Sequence, residues 1–219
     1  MCGQVGVILG TKRRTRDEIN YLTWVFTRAL ELSEERGPHA TGIAWVNRHG
    51  EHRLFKRPIP ASEFVRDKAF GELLGDIDSS VTALIGHTRF VTRGDAAVNE
   101  NNHPLRTVDC LVTHNGTILN ADHLFDQFRF ERHAEVDSEI IGRIADACIV
   151  DGRIDVKALR DGLALCRGQM SAVIVAKTDP GTVIIAKGNR PLELLFHPVF
   201  RAAVYASDAK YLRSVQTEV

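Results

Sequence analysis

Apolar positions along the chain follow two periods. Residues 4–9 are rich in β-branched side chains and closed by Gly10, which predicts a buried strand that begins almost at the first residue and ties the N-terminal end into the core. Thr15-Arg-Asp-Glu18 has the form of a capping box, after which Ile19, Leu22, Phe26, Ala29 and Leu30 repeat at helical spacing until Gly37-Pro38. That helix is expected to lie on a sheet. Strand-like runs follow at 42–47, 52–56, 81–86 and 107–113, with helix-compatible stretches within 61–75 and a long polar loop over 92–104. Asp137-Ser-Glu139 opens a helix running to about residue 149, and 155–165 forms another. The last third predicts strands near 170–177, 181–187, 192–197 and 202–206, with turns at Asp179-Pro-Gly181 and Gly188-Asn189. Strands at both ends with helices between them predict an α+β or layered α/β protein, not a regular βαβ alternation. No repeat or linker divides residues 1–219, so one domain is expected.

Composition narrows the partners. Lys+Arg and Asp+Glu both total 28, a formal net charge of zero, so there is no general electrostatic reason to expect nucleic acid or a membrane surface. A small neutral or zwitterionic ligand fits better. Cys2, Cys110, Cys148 and Cys166 form no CxxC pair, which suggests neither a disulfide framework nor a zinc cluster, and points to reduced thiols in a cytoplasm. The apolar stretch Val5–Leu9 is too short for a signal segment, and no run approaches a membrane span.

Four segments carry candidate chemistry. Cys2 follows the initiator methionine, and removal of Met1 would place its thiol beside an α-amine of pKa about 7.7–8.0, a base able to take the thiol proton near neutral pH. Position alone favours the other reading, a small buried hydrophobe, since free cysteines are usually structural. In Gly86-His-Thr-Arg-Phe-Val-Thr-Arg-Gly94 a strand delivers polar side chains into a loop, and the Arg89 guanidinium has the fork that grips a carboxylate, or is simply a surface arginine beside a core phenylalanine. His114-Asn-Gly116 follows a strand; Asn115 and the Gly116 N–H can converge on an oxyanion, or the pair can be a tight turn. Asp137-Ser-Glu139 reads as a helix N-cap on the same footing. His87, His103 and His114 could hold a metal, but their spacing matches no ligand signature.

Taken in order, these segments resemble the glutaminase domain of the class II glutamine amidotransferases, most closely that of the glucosamine-6-phosphate synthases. The anchors are Met1-Cys-Gly3, Arg36-Gly37 with Thr41-Gly42, Gly86-His-Thr-Arg89 with Thr92 and Gly94, Asn102-His-Pro104, His114-Asn-Gly116, Asp137-Ser-Glu139, Arg167-Gly168 and Ala206-Ser-Asp208. The resemblance implies the four-layer αββα sandwich of N-terminal-nucleophile hydrolases. It also implies roles: Cys2 as nucleophile with its freed α-amine as base, and Asn115 with Gly116 as the oxyanion hole. Arg89 would hold the glutamine α-carboxylate and Asp137 the α-ammonium. Phe90, Thr92 and His114 would line the substrate site. No cofactor or metal is implied, and the ammonia released would go to an acceptor, expected on a partner synthetase or acceptor domain. Two departures lie in the substrate loop: Phe90 stands where the synthases have tryptophan, and Arg93 where they have histidine. A stand-alone γ-glutamyl amide hydrolase and a catalytically silent binding or regulatory module are the alternatives to an amidotransferase.

Overall fold

The protein was analysed as a computed structural model that describes residues 2–217, with backbone alone at 216 and 217; Met1, and with it the question of its removal, lies outside the described residues. The chain runs β1 (Gly3–Ile8), α1 (Arg16–Leu32), a 3₁₀ turn at Ser33–Arg36, β2 (Ala40–Asn47), β3 (His52–Arg57), α2 (Ala61–Phe64), α3 (Lys68–Gly75) and β4 (Val81–Arg89). It continues through β5 (Leu105–Arg106), β6 (Cys110–Ile118), α4 (Ala121–Phe128), α5 (Glu139–Ala147), the short hairpin β7 (Ile149–Val150) and β8 (Arg153–Ile154), and α6 (Val156–Leu163). β9 (Gly168–Ala176), β10 (Val183–Lys187), β11 (Glu193–His197), β12 (Ala202–Ala206) and α7 (Ala209–Thr217) complete it. Two antiparallel sheets result, ordered β11-β12-β1-β4-β2-β3 and β10-β9-β6-β5.

Alternation along the strands builds the layers. In β1, Val5 and Val7, with Leu9 just beyond it, join α1, α2, α3 and α7 in one apolar cluster, whereas Ile8 packs into a second cluster between the sheets. β6 does the same for the other sheet: Cys110, Val112 and Ile118 meet α4, α5 and α6, and Leu111 faces the first sheet. Each sheet thus has a helical cover on its outer face and the other sheet on its inner one, the expected αββα sandwich.

α1 begins as predicted, with Thr15 Oγ1 accepting from Glu18 N–H and the Glu18 carboxylate accepting from Thr15 N–H. It ends earlier, at Leu32, and a 3₁₀ turn carries the chain to Gly37. Gly37 is needed for close approach, since a Cβ there would lie 2.5 Å from the backbone of both Thr88 and Arg89. The helix after Asp137 starts at Glu139, and Asp137 does not cap it. Its carboxylate instead accepts the Ile118 N–H at the end of β6. α4 was not anticipated, because the residue at its start, Asn120, makes no side-chain cap and spends its carbonyl on Arg167 N–H. The strand predicted at 107–113 lies at 110–118, so His114-Asn-Gly116 sits inside β6 and pairs with β9, not after the strand's end. Gly116 at φ 143° and Gly168 at φ 129° let the ladder continue through this bend.

Polar residues close the seam between the sheets. Gln4 is fully buried; its amide donates to Ser171 O (3.0 Å) and to Ser171 Oγ (3.1 Å), and its carbonyl accepts from Thr113 Oγ1 (2.7 Å). Replacing Gln4 with Leu strips these buried groups of a partner, so urea unfolding should show a loss of about 2–4 kcal/mol. An unchanged midpoint would show that the seam adds nothing to stability.

Candidate active site

Cys2 stands at the head of β1, where the first sheet meets the loop leaving β4. Its Sγ accepts the Phe90 N–H at 3.2 Å and lies 3.4 Å from Phe90 O, while Arg36 Nε donates to Cys2 O at 2.9 Å. Burial raises the Cys2 thiol pKa above its ordinary value, against the opposing pull of the Phe90 N–H, Arg89 and Arg36. The other cysteines differ. Burial and Asp146 push Cys110 up, and burial alone lifts Cys166 to about 11. Among the described residues only Cys2 has an N–H aimed at its sulfur, with two arginines acting on it.

Asn115 is joined to the same strand by one hydroxyl. Ser207 Oγ accepts from both Gln4 N–H and Asn115 Nδ2, each at 2.7 Å, so the amide is positioned from a residue two places beyond the cysteine. An Asn amide has two N–H groups, and Ser207 takes one of them. Next to it, Gly116 is irreplaceable on steric grounds, as a Cβ would fall 1.7 Å from Gln169 O. His114 lies on the helix side of β6, with Nδ1 at 2.7 Å from Ser138 Oγ and Nε2 at 3.3 Å from Gln169 O.

Arg89 is 3% exposed, and the loop after β4 wraps around it. Its Nη1 donates to Asn102 Oδ1 (2.7 Å), and its Nη2 to the carbonyls of Arg93 (2.6 Å) and Gly94 (2.9 Å). Asp137 acts on its charge from across the site. Phe90 is 42% exposed and rests against His39, the ring centroids 4.8 Å apart; Thr92 is exposed. Arg93 reaches Asp122 of α4 at 2.9 Å, which ties the loop to the opposite helical layer.

Of the residues predicted for the site, the structure gathers Cys2, Phe90 and Arg89 at one corner and Asn115, Gly116, His114 and Asp137 along β6 and the start of α5. Ser207, Ser138, Gln4 and Arg36 hold them. Sequence reasoning marked Arg36 and Ser207 as motif members but gave them no task, and a serine's or glutamine's partner across 90 or more residues leaves no local signal.

A cysteine at the head of a central strand of an αββα sandwich is the arrangement that the resemblance to the N-terminal-nucleophile amidotransferases implies, and comparison with known proteins is in keeping with it. The chain is 29% identical over 224 residues to the isomerizing glutamine–fructose-6-phosphate aminotransferase of Geobacillus kaustophilus, and 28% over 225 residues to that of Bacillus subtilis; in each pairing all of this chain and 34% of the relative are covered. The chain therefore spans about a third of the length of these curated relatives. Its fold is that of the glutamine phosphoribosylpyrophosphate amidotransferase from B. subtilis complexed with ADP and GMP, with a TM-score of 0.72 at 21% identity over 98% of this chain and 44% of that one. A class II glutamine aminotransferase domain protein from Silicibacter pomeroyi superposes at 0.55, with 16% identity over 93% and 88% of the two chains. No protein-family model matches the chain. The resemblance read from the motifs thus holds along the whole chain.

Behind the site His87 and His103 stack at 4.3 Å, and burial lowers the pKa of both, that of His87 to about 3. Both are neutral when folded but take a proton near pH 6.5 when unfolded. Their contribution is complete above the unfolded value and is lost as pH falls below it. Carboxylates titrate lower, so between pH 7 and pH 5 denaturant titrations should show stability falling by about 2 kcal/mol per histidine. Equal stability at the two pH values would contradict the neutral buried pair.

Proposed function

We propose that residues 1–219 form one glutaminase domain of an amidotransferase, which takes ammonia from the side-chain amide of glutamine. The observation that carries this reading is the placement of Cys2 and Asn115 on neighbouring elements joined through Ser207, with the Phe90 N–H on the sulfur. Burial keeps the thiol protonated near neutral pH, so a base is needed. The α-amine that Cys2 gains when Met1 is removed supplies it. The sulfur attacks the amide carbon of glutamine, and the oxyanion is held by the second Asn115 N–H and the Gly116 N–H. The carbon–nitrogen bond breaks and ammonia leaves with the proton taken from the thiol. Water then cleaves the γ-glutamyl thioester and releases glutamate.

Asp137 and Arg89 provide the opposite charges that a zwitterionic substrate requires. The Arg89 terminal nitrogens are bound to the loop carbonyls and Asn102, so gripping the α-carboxylate means exchanging part of that set. Phe90, Thr92 and His114 complete the substrate surroundings. The acceptor of ammonia belongs to a further domain or partner protein, in keeping with relatives about three times as long. Four free thiols fit a cytoplasmic enzyme. The combined set gives a silent binding module no physical reason to exist, and a stand-alone hydrolase would use the same site.

Cys2→Ala should abolish glutamate release from glutamine, while Cys110→Ala, Cys148→Ala and Cys166→Ala leave it intact; a diazoketone analogue of glutamine should label Cys2, checked by peptide mass spectrometry. Labelling at Cys110 or Cys166 instead would refute the assignment. An uncleavable N-terminal extension should silence the enzyme, and its proteolytic removal should restore it. Arg89→Lys should raise KM for glutamine by about tenfold or more with a smaller effect on kcat, because an ammonium lacks the planar fork.

A further inference from the structure

The two sheets end together on one side, at the edge strands β3 and β5. The register fixes which side chains point into the gap there. Leu54 packs into the cluster between the sheets, so His52 and Lys56, two residues to either side of it, share its face of β3. On β5, Arg106 pairs with Leu111, which also faces the first sheet, and so Arg106 points into the same gap. An open cavity of about 500 Å³ lies between them. Positions that would ordinarily be apolar therefore hold three basic groups; of the two carboxylates that also line the cavity, Glu139 is engaged by Arg143 and by the His133 and Ala134 N–H groups, and Glu100 acts on Lys56.

Their mutual effect is visible in the charges. Burial lowers the Lys56 ammonium to about 8, with Arg106 adding to the shift and Glu100 opposing it; burial, Lys177 and Arg106 lower His52. Arg106 makes no hydrogen bond or ion pair among the described residues. Inward-pointing lysine on an edge strand also guards against edge-to-edge pairing. That purpose is met by one charge on one strand, whereas here cations from two strands of two different sheets converge. A fork, a point charge and an imidazole suit an anion with several acceptor oxygens better than a lone carboxylate, which a single guanidinium already satisfies.

We propose that this cavity, floored by Leu54 and walled by His52, Lys56 and Arg106, binds a phosphate group, either as free phosphate or as part of a phosphorylated metabolite. The site is separate from Cys2 and does not depend on the glutaminase reading. It adjoins the substrate loop, however: the Lys56 ammonium donates to Asn102 O at 2.7 Å, and Asn99 Nδ2 donates to Lys56 O at 3.0 Å.

Calorimetric titration of the full chain at low ionic strength with inorganic phosphate and, separately, glycerol 3-phosphate tests the proposal. Saturable binding is expected, weakened about tenfold or more in Arg106→Gln and in Lys56→Gln. Arg160→Gln should leave affinity within about twofold, since Arg160 lies on α6 beside Asp161 and does not line this cavity. Arg106 is exposed, so its replacement leaves the fold intact and is the decisive variant. Tighter binding of glycerol 3-phosphate assigns a phosphorylated metabolite, and tighter binding of inorganic phosphate assigns the free ion. Absence of saturable binding by either, or an equal loss in Arg160→Gln and Arg106→Gln, would overturn the site.

Discussion

The buried hydrogen bonds around Gln4 are the constraint on which the rest depends. Two sheets packed face to face through apolar side chains alone can slide, because dispersion and burial have little direction. Gln4 removes that freedom by holding Thr113 of β6 and Ser171 of β9 from β1, and Ser207 adds a fixed point between β1 and Asn115. Such bonds are costly to leave unmade in a low-dielectric interior, which makes the register between the sheets specific. The site inherits this precision, since Cys2 is two residues from Gln4 and Asn115 two residues from Thr113.

The second determinant is the loop after β4. Arg89 is held so fully by the carbonyls of Arg93 and Gly94 and by Asn102 that it organises the loop before any substrate arrives. Arg93, one of the two departures from the synthase pattern, has a defined task in this arrangement through Asp122. Phe90, the other, contributes its backbone to the Cys2 sulfur while its ring lies on His39. The backbone contact is indifferent to side-chain identity, so this part of the site tolerates the exchange of tryptophan for phenylalanine.

Much of the architecture was legible because it rests on local chemistry. The Thr15–Glu18 capping box and the spacing of Ile19, Leu22, Phe26 and Leu30 state α1 directly, and the short apolar runs of β9 and β12 likewise state strands. Three features escaped because their causes are distant in sequence. β6 runs past Gly116 since β9 supplies a partner as far as Gly168; Asp137 serves Ile118 and not its own helix; and Asn120 turns its side chain toward Arg167. For the site, the motif residues were readable as an ordered set, whereas the ties from Ser207 and Gln4 arise only when the sheets meet, and that from Ser138 only when α5 packs on β6.

The order of pairing in the first sheet has a consequence for biosynthesis. β1 is made before both of its neighbours, β4 and β12, and Val5 pairs with Ala206, which lies 201 residues later in the sequence. The strand that carries Cys2 therefore stays half-paired until β12 has emerged, with one row of N–H and C=O groups still seeking a partner. Closing a loop of this length is slow compared with forming the β3 or β10 hairpins. A nascent chain halted before residue 202 would present an open central edge, so quality control during translation bears most heavily on the strand that later carries the thiol.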